Sequence, residues 1–255
     1  YKDYDYDSLF LEHRTQDITG YDDVRKPTMP GSAGTRGNHV NDIGGAGGGA
    51  VAFEAKNNFV LDGTIDTSGN QGLSDHTNYH HYCGGGGAGG SIYIKAESFA
   101  GSGSAKANGA NGKYTSWRDD YRHHSGGGGG GRIAVQCTNT GSSTHTFTGT
   151  LQAYGGVGGY RYQGKETAIG GQGTIYEDCG NVKKRLTVDN NGIAPQLPSY
   201  ITDKKNVSNH KDTIQEVQEL KVTVGSNFSI GYGNAISETL YFNGQCEGSV
   251  EKLKE

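Results

Sequence analysis

The stretch Gly126-Gly-Gly-Gly-Gly-Gly131, followed without a break by Arg132-Ile-Ala-Val-Gln-Cys137, decides the fold. Consecutive glycines contribute no side chain to a core, and glycine loses more conformational freedom on ordering than any other residue. Such a run makes sense where another backbone approaches too closely to leave room for a Cβ. The residues after it alternate apolar and polar with period two, the pattern of a half-buried strand. Similar glycine-rich runs, among them Gly84-Gly85-Gly86-Gly87, precede Val51, Ile92 and Ile175, so the chain is a repeat array.

Four strands share one pattern: Ala50-Val-Ala-Phe-Glu-Ala55, Ser91-Ile-Tyr-Ile-Lys-Ala96, Arg132-Ile-Ala-Val-Gln-Cys137 and Thr174-Ile-Tyr-Glu-Asp-Cys179. Their leading apolar residues, Val51, Ile92, Ile133 and Ile175, recur every 41 or 42 residues. The alternation puts Val51/Phe53/Ala55, Ile92/Ile94/Ala96 and Ile133/Val135/Cys137 on a buried face and Glu54, Lys95, Gln136 and Asp178 on the opposite one. A second set follows: Gly63-Thr-Ile-Asp-Thr-Ser-Gly69, Gly103-Ser-Ala-Lys-Ala-Asn-Gly109 and Gly149-Thr-Leu-Gln-Ala-Tyr-Gly155 superpose without a gap, with Phe59, Phe99 and Phe147 just upstream. Leu186-Thr-Val-Asp-Asn190 is the candidate counterpart in the fourth unit.

The simplest packing of such units is an all-β, glycine-rich parallel β-solenoid with like positions stacked at about 4.8 Å. The glycine runs then form a side-chain-free face, built either from flat strands or from polyproline-II-like helices. Cys137 and Cys179 occupy the same position in adjacent rungs, at a separation a disulfide accepts. Their contact is expected as a disulfide or as a reduced buried stack. On this reading, residues 1–43 are an N-terminal cap or connection, 44–190 the repeat region, and 191–255 a continuation, cap or junction. In that last part, Leu220-Lys-Val-Thr-Val224, Phe228-Ser-Ile230 and Leu240-Tyr-Phe242 alternate again, and Ile214 to Leu220 is a candidate helical turn. No obvious cap follows the fourth unit.

Composition narrows the function. Glycine supplies 45 of the 255 residues and proline only 4, which argues against collagen and against a Pro/Gly-rich tail. The formal net charge of −4 offers no basic footprint for nucleic acid, and no apolar run approaches a membrane span. The chain starts at Tyr1 rather than Met and reads as a processed or excised fragment. Cys83, Cys137, Cys179 and Cys246 lack C-x-x-C spacing, which disfavours structural zinc and suits disulfides in a secreted protein. Asn206-Val-Ser208 and Asn227-Phe-Ser229 are glycosylation sequons. The glycine runs lack the P-loop pattern and precede strands rather than helices, so no cofactor site is read from them.

The loops Gln71 to Tyr82, Gly112 to Ser125 and Tyr160 to Ala168 are polar and aromatic. Insertions at one position of a repeat project from one side, which would gather Tyr79, Tyr82, Tyr114, Trp117, Tyr121, Tyr160 and Tyr162 into one binding or assembly surface. His76, His80, His81, His123 and His124 cluster in the same loops. Facing imidazole pairs are weak candidates for zinc or copper, and solvated, locally bonded histidines are the favoured reading. Asp75, Asp119 and Asp120 invite comparison with glycan-cleaving carboxylates, but Asp119-Asp120 lies between Arg118 and Arg122, as in a self-paired surface run.

At Gly84 to Ala96, Gly103 to Gly109, Gly127 to Val135, Gly171 to Tyr176 and Leu186 to Asn190 the chain resembles the glycine-rich repeats of large secreted proteins of plants, algae, stramenopiles and some bacteria, among them mastigoneme-like flagellar-hair proteins. The resemblance spans about residues 44–190. It implies an extracellular structural or adhesive role and brings no catalytic residues. The expectation is therefore a non-enzymatic segment of a filament or matrix that self-assembles into a homo- or hetero-polymer and carries covalent glycans. A carbohydrate-binding adhesin is the second reading and a polysaccharide-active enzyme the third.

Overall fold

The structure is a computed structural model. It describes residues 22–37, 41–73, 83–113, 125–139, 141, 144–158, 169–180 and 182–191, together with the backbone course of strands at 115–117, 121–123, 199–201, 219–223, 228–230 and 239–243. The described residues are strand, turn and extended chain, and contain no helix.

Each of the first three units supplies three strands. They are β1 (Ala50–Glu54), β2 (Asn58–Val60) and β3 (Thr64–Asp66); β4 (Ser91–Ala96), β5 (Ser98–Gly101) and β6 (Ser104–Lys106); then, after the hairpin β7 (Thr115–Trp117) and β8 (Tyr121–His123), β9 (Arg132–Cys137), β10 (His145–Phe147) and β11 (Thr150–Gln152). Like strands pair in parallel, giving the orders β1-β4-β9, β2-β5-β10 and β3-β6-β11. The fourth unit adds β12 (Thr174–Cys179), parallel to β9. Val51, Ile92, Ile133 and Ile175 form one ladder, and Ile65, Ala105 and Leu151 another, in the register the spacing predicts. Ile92, Ile94, Phe99, Ala105, Ile133 and Val135 are fully buried between the sheets. Val51, Phe53, Phe59 and Ile65 are only half-buried, because among the described residues no unit stacks on the far side of the first.

Two expectations are corrected. Leu186 to Asn190 does not repeat the second-strand pattern. It belongs to β13 (Val182–Val188) and the turn after it, and β13 pairs antiparallel with β12, Leu186 facing Tyr176. The chain therefore reverses after the fourth unit, and the run of parallel pairing that began at β1 ends at β12. The sheet continues through β15 (Glu219–Thr223) and β17 (Thr239–Asn243), while β14 (Ser199–Ile201) and β16 (Phe228–Ile230) form a separate pair. The helical turn expected at Ile214 to Leu220 is a strand where it is described, from Glu219 on. Phe59, Phe99 and Phe147 do not all share one register position. His145, not Phe147, stands opposite Phe99, and Phe147 stands opposite Gly101. The third unit is longer between its first and second strands, which moves Phe147 two places along. Its ring still reaches Phe99, at 4.4 Å between centroids.

The glycine runs form their own layer, and their hydrogen bonds repeat every third residue. In the run 84–90, the amides of Gly85 and Ala88 donate to Thr35 and Ser32, those of Gly86 and Gly89 to Gly126 and Gly129, and those of Gly87 and Gly90 to Asn70 and Thr67. A β-strand bonds in two directions, whereas this run bonds in three. That is threefold polyproline-II geometry, which has no internal hydrogen bonds and turns every donor outward. The open choice between flat strands and polyproline-II helices is resolved for the second. No glycine of the runs has positive φ; Gly101, the last residue of β5, is the one positive-φ glycine among the described residues.

Three rows result. The runs 43–49, 84–90, 126–131 and 169–173 lie side by side, segments 67–73, 107–112 and 153–157 bond to them from one side, and residues 31–35 bond to the first two runs from the other. Close approach explains the glycines. A Cβ at Gly128 would overlap the carbonyl of Gly87, one at Gly130 that of Ala153, and one at Gly131 that of Gly90.

Gly128→Val should therefore lower stability by about 3 kcal/mol or more, the upper end of core overpacking, in chemical denaturation. Gly49→Val, whose Cβ would meet nothing within 4 Å, should stay within roughly 0.5 kcal/mol of wild type. Equal effects at the two positions would contradict the row packing.

Candidate functional site

The alternation of β4 places Ser91 and Tyr93 on the face away from the core, yet both are buried. The cover is residues 22–30, which run across that face. Asp22, itself buried, organises this strap: its Oδ2 accepts the amides of Thr28 (2.8 Å) and Met29 (2.9 Å) and the hydroxyl of Ser91 (3.2 Å). Ser91 Oγ also lies 2.6 Å from Met29 O, and Val24 fills the space beneath. The Tyr93 hydroxyl donates to Gln136 Oε1 at 2.9 Å, and Gln136 Nε2 donates to Arg25 O at 3.2 Å. Lys26 Nζ sits 5.5 Å from the Tyr93 ring centroid and 3.8 Å from Glu54. Glu54, Lys95, Gln136 and Asp178 share one ladder on this face. Burial, then the charges of Glu54 and Asp23, raise the Tyr93 pKa; burial and Asp189 raise that of Tyr154.

Cys137 and Cys179 end β9 and β12 and are joined in a disulfide, with 4.5 Å between their Cα atoms. This is the disulfide arm of the expected contact. Cys83 is buried at the head of the second run. Cys246 lies outside the described residues.

One interior pair escaped the sequence reading. His145 Nε2 lies 3.0 Å from Glu177 Oε1, both side chains about nine-tenths buried (11% and 12% exposed). His145 also meets the Phe99 ring edge-on at 5.7 Å. Glu177 holds the ladder position of Phe53, Ile94 and Val135. A charged residue in an apolar column was the available signal, but recognising it required knowing which face of β12 turns inward.

The outward faces of the second and third sheets carry short polar ladders. Ser98 Oγ donates to Asn58 Oδ1 (2.8 Å), Ser102 Oγ to Asp62 Oδ1 (3.3 Å), and the Thr64 and Ser104 hydroxyls are 3.1 Å apart. Tyr79, Tyr82, Tyr114, Tyr160, Tyr162, His76, His80, His81, His124, Asp75, Asp119, Asp120, Asn206 and Asn227 lie outside the described residues. Trp117 faces Tyr121 across the β7–β8 backbone, where His123 pairs with Thr115. Among the described residues no three His, Cys, Asp or Glu side chains group to hold a metal ion. None of them form a helix long and apolar enough to cross a membrane. No family model matches the chain, and neither the curated proteins nor the solved structures contain a match to it.

Replacing both cysteines, Cys137→Ala with Cys179→Ala, should lower stability by roughly 2–4 kcal/mol, as expected for a bridge closing a loop of this length; unchanged denaturation would show that the bridge constrains nothing. Tyrosines 93 and 154 should ionise above the ordinary tyrosine value near 10 in an absorbance titration. A folded phenol with raised pKa keeps its proton where the unfolded chain has lost it, so its contribution is complete below the ordinary value near 10 and is lost as pH rises through the raised one. Tyr93→Phe should accordingly flatten the fall of stability above about pH 10, and an unaltered alkaline profile would exclude this origin.

Proposed function

We propose that the chain is a non-enzymatic extracellular structural protein, a segment of a glycine-rich β-solenoid that assembles into a filament or matrix. The observation that carries this reading is the glycine layer. Adjacent units are joined there by main-chain hydrogen bonds in three directions, a scaffold whose cohesion depends little on particular side chains. The Cys137–Cys179 bridge between adjacent rungs supports an oxidising compartment. The reading keeps the resemblance to mastigoneme-like and other secreted glycine-rich repeat proteins, and glycans at Asn206 and Asn227. The aromatic loops serve as lateral contacts in it.

The flat ladders Asn58/Ser98, Asp62/Ser102 and Thr64/Ser104 favour one alternative, a carbohydrate-binding adhesin, because regularly spaced hydroxyl and carboxylate groups suit sugar hydroxyls.

Negative-stain microscopy of the chain, secreted from a glycosylating host and concentrated, should show fibres or sheets with an axial repeat, and mass spectrometry after deglycosylation should locate the sugars. Monodisperse particles that bind a glycan array would favour the adhesin; monodisperse particles that bind none would leave neither reading standing.

A further inference from the structure

Residues 31–35 show what the outer side of the glycine layer accepts. Their glycines donate to the first run, Gly31 N to Gly48 O and Gly34 N to Gly45 O, and their carbonyls receive the second, Ser32 O from Ala88 N and Thr35 O from Gly85 N. The segment seats on Gly44 and Gly47, where a Cβ would overlap the carbonyls of Gly34 and Gly31. Register translates this seat along the layer. Gly44 and Gly47 become Gly85 and Ala88 in the second run, and Gly126 and Gly129 in the third.

The seat on the second run is closed: the methyl of Ala88 stands where Gly47 must have none. The seat on the third run is open. Every other described glycine from 127 to 131 is forced by a backbone carbonyl, but a Cβ at Gly129 would meet only Gly171 O, at 3.7 Å. Nothing within the described residues requires a glycine there. Among the described residues the bonding groups are also unengaged. Gly127 O, Gly130 O and Gly171 N are the register equivalents of the groups that residues 31–35 engage, and they have no partner among the described residues. Gly127 and Gly130 are half-exposed, whereas their covered counterparts Gly45 and Gly48 are buried.

We propose that the groove between the third and fourth glycine runs binds an extended glycine-rich segment in polyproline-II conformation, contributed by a second copy of this chain. The occupant needs glycine at every third residue on its inner side, donors toward Gly127 O and Gly130 O, and a carbonyl toward Gly171 N. Pro30-Gly-Ser-Ala-Gly-Thr-Arg-Gly37 meets these conditions, since Gly31 and Gly34 supply that spacing in the first groove of its own copy; the second copy donates it by exchange, the segment leaving that groove for its neighbour's third run. The second copy as donor rests on the assembly reading above; the groove itself rests on the geometry.

The test uses the full chain and an acetylated, amidated peptide of residues 30–37. Titrating the peptide into isotope-labelled protein should shift the amide resonances of Gly129 and Gly171. Sedimentation velocity should show concentration-dependent self-association that the peptide inhibits. Gly129→Val should weaken both by about tenfold or more, a change of roughly 1.4 kcal/mol, while leaving the melting temperature near wild type, in contrast to Gly128→Val. Unshifted Gly129 and Gly171 amides would overturn the groove. A Gly129→Val variant as destabilised as Gly128→Val would overturn it too, by showing the seat already filled from within the chain. Peptide binding without self-association would overturn the second copy as occupant. Fibres that persist in Gly129→Val would separate this site from the filament reading and remove it as the assembly contact.

Discussion

The approach of backbone to backbone across the glycine layer is the constraint on which the remaining structure depends. Where a side chain would stand, the carbonyl of a neighbouring run stands instead, as Gly87 O does over Gly128. This proximity lets each run spend its amides on three neighbours, and only 32% of the chain needs to be apolar for it to fold. The entropic penalty of ordering so many glycines is large. It is offset by hydrogen bonds that leave few buried main-chain groups unpaired. The layer is thus cooperative, because a run isolated from its neighbours has no internal bonds to hold its shape.

The strand region is coupled to this layer through register. A glycine run passes directly into the first strand of each unit, so the spacing that aligns Gly90 with Gly131 also stacks Ile92 on Ile133 and brings Cys137 to Cys179. The apolar columns, with Phe53, Phe59, Phe99 and Phe147 in ring contact, fill the space between the three parallel sheets. The strap at residues 22–30 closes the outer face of the first sheet with one buried carboxylate, Asp22, as its fastening. Direct continuation of the strap through Pro30 leads residues 31–35 onto the glycine layer. One N-terminal segment therefore ties both halves of the cross-section together.

Much of this was legible because repetition converts spacing into contact. The ladder Val51–Ile92–Ile133–Ile175, the superposed strands at Thr64, Ser104 and Thr150, and the cysteine pair follow from counting residues. Reading failed where repetition stopped. Leu186-Thr-Val188 has the composition of another rung, but β13 turns back and pairs antiparallel with β12, a choice that local pattern does not encode. The longer connection before β10 sets His145 rather than Phe147 opposite Phe99, and its partner Glu177 comes from a different unit. The loop tyrosines and histidines stand outside the described residues, so the surface expected of them stays an expectation from composition.

The sequence by itself determined that the chain is a repeat of strands fed by glycine runs, which positions stack, and which two cysteines meet, because period-two alternation and a fixed interval leave one register that buries the apolar set. Only the tertiary structure decided that the runs are threefold helices rather than strands, that residues 22–35 lie across the outer faces, and that a reversed strand interrupts the parallel pairing after the fourth unit. The reason is physical. A glycine has no side chain to report which way it faces, so its geometry is settled by the neighbours that its amide and carbonyl find, and those neighbours are far away in the sequence.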